Sequence, residues 1–303
     1  MSTENKPTIG FIGLGAMGLG MARRLVSSGF LVRGYDVNPA AGQALIAAGG
    51  QAAAAAADAA RDADIFILMV VSAEQAEDVL FGQGGAAASL AKGSVVILCS
   101  TVKPEFSRKL ALRLNEVGLE MLDAPVSGGV IKAASGELSI MAAGTPAVFA
   151  KTEMVLNALA ARVYRLGEEC GQGSTVKMVN QLLAGVHIAA AAEAMALGVR
   201  AGVDPQELYE VISNSAGSSW MFQNRVPHMM AGDYTPFSAV DIFVKDLGIV
   251  LETGQELRFP LPLSAAAHQL FLMAAAAGFG RQDDAAVVKV FEQLAGISVK
   301  SKQ

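Results

Sequence analysis

The sequence predicts an α/β protein in two parts: a mainly parallel sheet wrapped by helices, followed by an all-α C-terminal domain. Three observations predict it. Short apolar runs alternate with helical patterns through the first half, and a glycine-rich turn joins the first run to the first helix. After Gly167 the strand signals fade into long Ala-, Leu- and Met-rich stretches. Alternation of this kind is what a parallel sheet needs, because each crossover between parallel strands carries a helix. At 303 residues, and roughly 100–200 residues per domain, two domains are expected. The pattern change at Gly167 to Gly171 sets them at 1–168 and 169–303.

Strands are expected at Thr8 to Ile12, Leu31 to Val37, Ile65 to Val70, Val95 to Ser100, Leu119 to Asp123, Leu138 to Ala143 and Val163 to Leu166. Helices are expected at Met17 to Ser28, Pro39 to Ala48 and Pro104 to Val117, the second opened by proline at an early position. The alanine tract Ala52 to Ala57 reads as a surface strand or turn feeding a helix near Asp58. Ser174 to Gly202 reads as one long helix, apolar nearly all round and therefore deeply buried. Asp204-Pro205 starts the next helix, with Asp as N-cap and Pro as first helical residue. A helix apolar on every side has to be covered, so a homo-oligomer, dimer or tetramer, is expected.

Composition narrows the function classes. A net charge of -5 and the lack of any basic run argue against nucleic acid as partner, since phosphate backbones are bound by clustered Lys and Arg. Cys99 and Cys170 form no CxxC or Cys/His spacing, so neither a disulfide framework nor a zinc site is expected. The polar start runs straight into a strand and lacks the features of a secretory signal. Leu182 to Ala192 is apolar but short of the roughly 20 residues that span a bilayer. A soluble, cytoplasmic protein without a membrane partner is the expectation.

Gly13-Leu14-Gly15-Ala16-Met17-Gly18 is a G-x-G-x-x-G turn between the first strand and the first helix. One glycine makes the tight turn, one lets the backbone approach a pyrophosphate, and one allows close helix–strand packing. The helix N-terminus offers N–H groups and the positive dipole end to phosphates. Asp36 ends the second strand, where a carboxylate accepts from adenosine ribose hydroxyls and repels a 2′-phosphate. The pair predicts a Rossmann-type domain that binds NAD rather than NADP. Arg33 lies within the strand, a poor place for a phosphate clamp.

Further blocks extend the reading. The stretch Phe11 to Ala22, the block Asp123-Ala124-Pro125-Val126-Ser127-Gly128-Gly129, the block Gly171-Gln172-Gly173-Ser174-Thr175-Val176-Lys177-Met178-Val179-Asn180, and Lys245-Asp246-Leu247 follow in order. Together they closely resemble the β-hydroxyacid dehydrogenase family over nearly the whole chain. The resemblance implies Lys177 as catalytic acid/base, and Ser127, Gly128 and Gly129 as contacts of the substrate carboxylate. It also implies Lys245 at the cofactor and Thr101 beside the nicotinamide. Asn180-Gln181 departs from the paired asparagines of many 3-hydroxyisobutyrate dehydrogenases. Gln181 and the segments Gln181 to Glu193 and Ser218 to His228 resemble the L-threonate branch. This implies a four-carbon sugar acid as substrate; tartronate semialdehyde or 3-hydroxyisobutyrate are the alternatives, and a non-catalytic NAD-binding protein is the alternative of another class.

The residues support the same chemistry. Removing a hydride from a carbinol requires a base for the hydroxyl proton, and a lysine serves once its pKa is brought down from about 10.4. Lys177 sits in the uncharged run Gly171 to Leu183, and on a helix it shares a face with Gln181. Glycines at Gly128 and Gly129 let backbone N–H groups converge on a carboxylate, with Ser127 adding a hydroxyl; an ordinary glycine turn is the alternative. His187, His228 and His268 share no ligand spacing, and no metal is expected. His187 is either a specificity residue or a core histidine, and Phe243 either packs beside the nicotinamide or in the core. Arg225 reads as a solvated or interface arginine.

Overall fold

The computed structural model describes residues 6–301. The chain divides into two compact units, 1–177 and 178–303.

The first unit runs β1 (Ile9–Ile12), α1 (Ala16–Ser27), β2 (Val32–Tyr35), α2 (Pro39–Ile46), β3 (Gln51–Ala52), α3 (Ala56–Ala60), β4 (Ile65–Leu68), α4 (Ala73–Phe81), β5 (Val95–Leu98), α5 (Pro104–Glu116) and β6 (Glu120–Asp123). It continues with β7 (Val126–Ser127), α6 (Gly129–Ser135), β8 (Leu138–Ala142), α7 (Pro146–Leu159) and β9 (Ala160–Arg165). Helix α8 (Gln172–Arg200) begins here and continues into the second unit. Six strands form a parallel sheet in the order β3-β2-β1-β4-β5-β6. The order reverses between β1 and β4, the place where open α/β sheets take ligands at the carboxyl ends of their strands.

Burial explains the order. Every residue of β1, β4 and β5 is buried, as strands covered by helices on both faces must be. Side chains alternate between faces. Ile9, Phe11, Ile65, Ile67, Val95 and Ile97 join one core, and Ile12, Phe66, Leu68, Val96 and Leu98 the other. The alanine tract behaves as expected, with β3 at its start and α3 carrying Asp58. The predicted strand at Val163 to Leu166 begins earlier, at Ala160, and does not extend the main sheet. It pairs in parallel with β8 in a second sheet whose other strand, β7, is antiparallel. A two-residue strand such as β7 carries no usable periodicity in sequence.

The second unit holds the rest of α8, then α9 (Pro205–Ser213), α10 (Trp220–Ala231), α11 (Val240–Glu256), α12 (Pro262–Ala274) and α13 (Val288–Ala295). Helix α9 starts as its sequence predicts: Asp204 accepts from the N–H groups of Gln206 at 2.8 Å and Glu207 at 3.3 Å, with Pro205 first in the helix. The core gathers Ile188, Met195, Val226, Met229, Leu247 and Phe271. Phe243 belongs to it, its ring stacked on Phe271 at 5.1 Å.

Helix α8 corrects one expectation. Its buried residues, among them Ser174, Lys177, Gln181, Ala184, Ile188, Ala192 and Met195, with Ala189, Ala191 and Ala196 beside them, lie on one face of the helix. Val176, Val179, Leu183 and Leu197 are exposed, so the helix is not deeply buried on every side. By length and composition alone, α8 and the helical stretch 262–279 are apolar enough to cross a membrane, a test that core helices of soluble proteins also pass.

Candidate active site

The three glycines of the first turn play separable parts. Gly13 has φ +89°, and a side chain there would stand 2.8 Å from the Met69 carbonyl carbon. At Gly18 a Cβ would fall on the Gly13 carbonyl oxygen, so only glycine lets α1 pack this close to its own turn. Around Gly15 no atom beyond its own chain neighbours lies within 4 Å of the Cβ position. That open space adjoins the start of α1, which has Gly15 as N-cap and no side-chain cap. A helix start with open N–H groups favours an anion. The cradle therefore fits a dinucleotide pyrophosphate, and Gly15, Ala16 and Met17 would hold it.

Leu14 contributes differently. Its side chain is buried in the core, and its N–H donates to Asp36 Oδ2 at 2.7 Å. Asp36 Oδ1 accepts from the Asn38 N–H at 2.8 Å. Two backbone donors thus fix the carboxylate just after β2, and each oxygen keeps a lone pair for a ribose hydroxyl. The Arg33 guanidinium donates to the carbonyls of Arg61 at 2.7 Å and Asp58 at 3.2 Å, which engages it away from any phosphate. Thr101 lies in the loop after β5, half-buried. The neighbouring Ser100 hydroxyl accepts from the Val70 N–H at 3.0 Å and ties this loop to the one after β4.

Ser127 ends β7 and pairs with Ser139. Gly128 and Gly129 follow with φ +139° and +73°, conformations that side chains rarely adopt, and Gly129 opens α6. The same block contains a residue whose role the sequence reading missed. Asp123, at the end of β6, is fully buried and its carboxylate accepts three hydrogen bonds. The Gly171 N–H reaches Oδ2 at 2.7 Å, the Ser174 N–H reaches it at 2.9 Å, and the Ser174 hydroxyl meets Oδ1 at 2.6 Å. Burial pushes the Asp123 carboxyl above the usual carboxylate range, opposed by the hydrogen bonds from Ser174 and Gly171. The readable signal was its place at the carboxyl end of a parallel strand.

Lys177 is 7% exposed, and Gln181, one helical turn further along α8, is also buried. The Gln181 amide is engaged at both ends: Nε2 donates to Asp246 Oδ2 at 2.5 Å, and Oε1 accepts from Asn180 Nδ2 at 3.1 Å. Asp246 is 2% exposed, and its other oxygen stands 2.7 Å from Lys245 Nζ. Asp246 and Asn180 lie in the family-like sequence blocks, and only these contacts give them a role. Lys245 and Asp246 are sequence neighbours on α11, and their ion pair is largely buried.

Arg225, His228 and His268 have structural partners. Arg225 is not solvated: it forms a fork with Asp284, Nε to Oδ1 at 2.5 Å and Nη2 to Oδ2 at 3.2 Å, with Asp284 fully buried. His228 Nδ1 lies 3.3 Å from Asp283 Oδ1, and His268 Nε2 lies 3.0 Å from the Val244 carbonyl. His187 is half-buried on α8. Burial pushes the Cys99 thiol up to about 12 and the Cys170 thiol up to about 11, so neither is a thiolate nucleophile near neutral pH. Among the described residues no group of three or more His, Cys, Asp or Glu is placed to hold a metal ion.

Comparison with known proteins agrees with this geometry. Residues 8–167 match the family model for the NAD-binding domain of 6-phosphogluconate dehydrogenase. Residues 171–291 match the model described as NAD-binding of NADP-dependent 3-hydroxyisobutyrate dehydrogenase. The chain is 58% identical over 283 residues to an L-threonate dehydrogenase of Cupriavidus necator, covering 93% of this chain and 95% of the relative. It is 48% identical over 302 residues to an L-threonate dehydrogenase of Escherichia coli, covering 99% and 100%. A crystal structure from Salmonella typhimurium described as 3-hydroxyisobutyrate dehydrogenase superposes with a TM-score of 0.89 at 49% identity, covering 94% of this chain and all of that one. With both halves matched and the relatives aligned nearly end to end, the chain belongs to the NAD-binding β-hydroxyacid dehydrogenase family.

Proposed function

We propose that this protein oxidises L-threonate at C2 to 2-dehydro-L-erythronate with NAD, using Lys177 as the acid/base. The observation that carries the substrate is the near full-length identity, 58% and 48%, to two relatives named L-threonate dehydrogenase. Gln181, in place of the asparagine seen in many 3-hydroxyisobutyrate dehydrogenases, supports the same branch.

Residues 1–168 form the part that binds NAD, and residues 169–303 the helical part for substrate and self-association. When bound, NAD supplies the two-electron acceptor for the carbinol C–H. Gly13, Gly15 and Gly18 shape the pyrophosphate cradle, Gly15, Ala16 and Met17 present the start of α1, and Leu14 fixes Asp36. Asp36 accepts from the ribose and disfavours a 2′-phosphate. Ser127 and the N–H groups of Gly128 and Gly129 orient the substrate carboxylate. The Lys177 amine takes the hydroxyl proton. Gln181, Thr101 and Lys245 complete the assignment, Gln181 on the substrate side and the other two at the cofactor. The enzyme works in the cytoplasm as a homo-oligomer, without nucleic acid or membrane partners. The acidic balance supports the lack of a nucleic-acid partner, and the exposed apolar residues of α8 support self-association.

The test is NADH formation by the purified protein with NAD and L-threonate, D-threonate, D-erythronate, D-glycerate and 3-hydroxyisobutyrate in turn. The reading expects L-threonate to give the highest kcat/KM. A preference for 3-hydroxyisobutyrate, the substrate in the description of the Salmonella structure, would overturn the substrate and keep the reaction class.

A further inference from the structure

The start of α8 is built onto the last residue of β6. Gly171 has φ +97°, and a side chain there would meet the Pro104 carbonyl oxygen at 2.9 Å and Arg108 Cγ at 2.8 Å. A Cβ at Gly173 would fall on the Met141 carbonyl oxygen, 2.8 Å from the carbonyl oxygen of Asp123. Gly173 thus lets the helix start come to backbone distance of β6 and β8, and Gly171 lets it approach the start of α5. At the point of contact the Asp123 carboxylate takes the Gly171 N–H and both donors of Ser174. A carboxylate bonded to N–H groups of a helix's first turn is a strong cap, since it satisfies donors that have no partner within the helix.

Asp123 is itself immobilised. Its N–H donates to the Ala143 carbonyl at 3.0 Å, and its carbonyl accepts from the Ala143 N–H at 2.8 Å. It therefore joins the end of the six-stranded sheet to the end of β8. Four residues further on begins the Ser127-Gly128-Gly129 turn, and three residues beyond Ser174 on the helix lies Lys177. One buried side chain stands between the strand that leads into the carboxylate turn and the helix turn that carries the amine.

We infer that Asp123, through Ser174, is the positioning residue that fixes the first turns of α8 and so sets the Lys177 amine for proton transfer. This rests on the proposed role of Lys177. A group that must meet a substrate hydroxyl within hydrogen-bond reach loses about 100-fold in rate for a displacement of about 1 Å. The Gly13 to Gly18 cradle and Asp36 lie on other elements of the first unit, so dinucleotide affinity is not expected to follow.

Asp123→Asn keeps the shape but removes the charge and replaces one acceptor oxygen with an NH2 group, which faces either the Ser174 hydroxyl or the two backbone donors; Ser174→Ala removes one hydroxyl bond and is the milder change should the first fail to fold. Two readouts are taken on the full chain: amide hydrogen exchange, and kcat, KM and the Kd for NAD. Exchange at residues 171–178 should quicken in both variants. Turnover with L-threonate should fall about 10- to 100-fold in Asp123→Asn and about fivefold in Ser174→Ala, with the NAD Kd within twofold of wild type. Faster exchange with unchanged kcat would overturn the positioning role, as would loss of NAD affinity in step with turnover. Unchanged exchange in both variants would overturn the cap itself. A wild type inactive on every hydroxy acid would instead overturn the reading of the reaction, and the exchange data would still decide whether Asp123 holds the helix.

Discussion

Gln181 Nε2 donates to Asp246 Oδ2 at 2.5 Å inside the helical unit, and the same carboxylate stands 2.7 Å from Lys245 Nζ. Gln181 is therefore a bond partner of a buried carboxylate as well as a residue by which the sequence resembles the L-threonate branch. Its length matters: an asparagine at 181 is shorter by one methylene and falls short of Asp246 unless the helices shift.

Gln181→Asn should raise KM for L-threonate about 5- to 10-fold, the equivalent of one ordinary hydrogen bond lost, about 1 kcal/mol, and leave the NAD Kd unchanged. Steady-state kinetics at saturating NAD checks this. An unchanged KM would show that the Gln181–Asp246 bond plays no part in substrate handling.

Gly15 and Gly18 separate function from folding. Gly15→Ala adds a methyl where no atom beyond its own chain neighbours lies within 4 Å, so the melting temperature should hold while NAD affinity falls by 10-fold or more. Gly18→Ala drives a methyl into the Gly13 carbonyl and should destabilise the protein by about 1–3 kcal/mol, as overpacking does. Thermal melts and NAD titrations on the pair check both.

Much of this was legible in sequence, and the misses share a cause. Strong local patterns, such as the G-x-G-x-x-G turn, the all-apolar strands and the Asp204-Pro205 helix start, are written in adjacent residues. Asp123, Ser174 and Asp246 take their roles from partners 51 and 65 residues away, and no spacing rule spans such distances. The second sheet was missed as a separate sheet because two-residue β7 is below any period. The solvated reading of Arg225 failed for a similar reason: its partner Asp284 lies 59 residues on, and nothing nearby in sequence announces burial.

The Arg225–Asp284 pair gives a pH prediction. Burial pushes the Asp284 carboxyl up to about 7, while the Arg225 charge and hydrogen bonds pull it down. A folded-state pKa above the unfolded value of about 3.9 means that the folded protein keeps a proton the unfolded chain has lost. On this group's account stability declines as pH rises from about 4 towards 7. Arg225→Met removes the opposing charge, so the variant should melt lower than wild type throughout. Its deficit should widen between pH 5 and pH 8, reaching about 3–5 kcal/mol where an unpartnered buried carboxylate must ionise or retain its proton. Melting curves across that range check it; a deficit that narrows towards pH 8 would contradict it.

The central claim is that Lys177 moves the substrate hydroxyl proton. The most direct measurement is turnover of Lys177→Ala with NAD and L-threonate, beside its NAD Kd. The account predicts a fall in kcat of about 100- to 10,000-fold with the Kd for NAD and the melting temperature close to wild type. Near-normal turnover in this variant would contradict it.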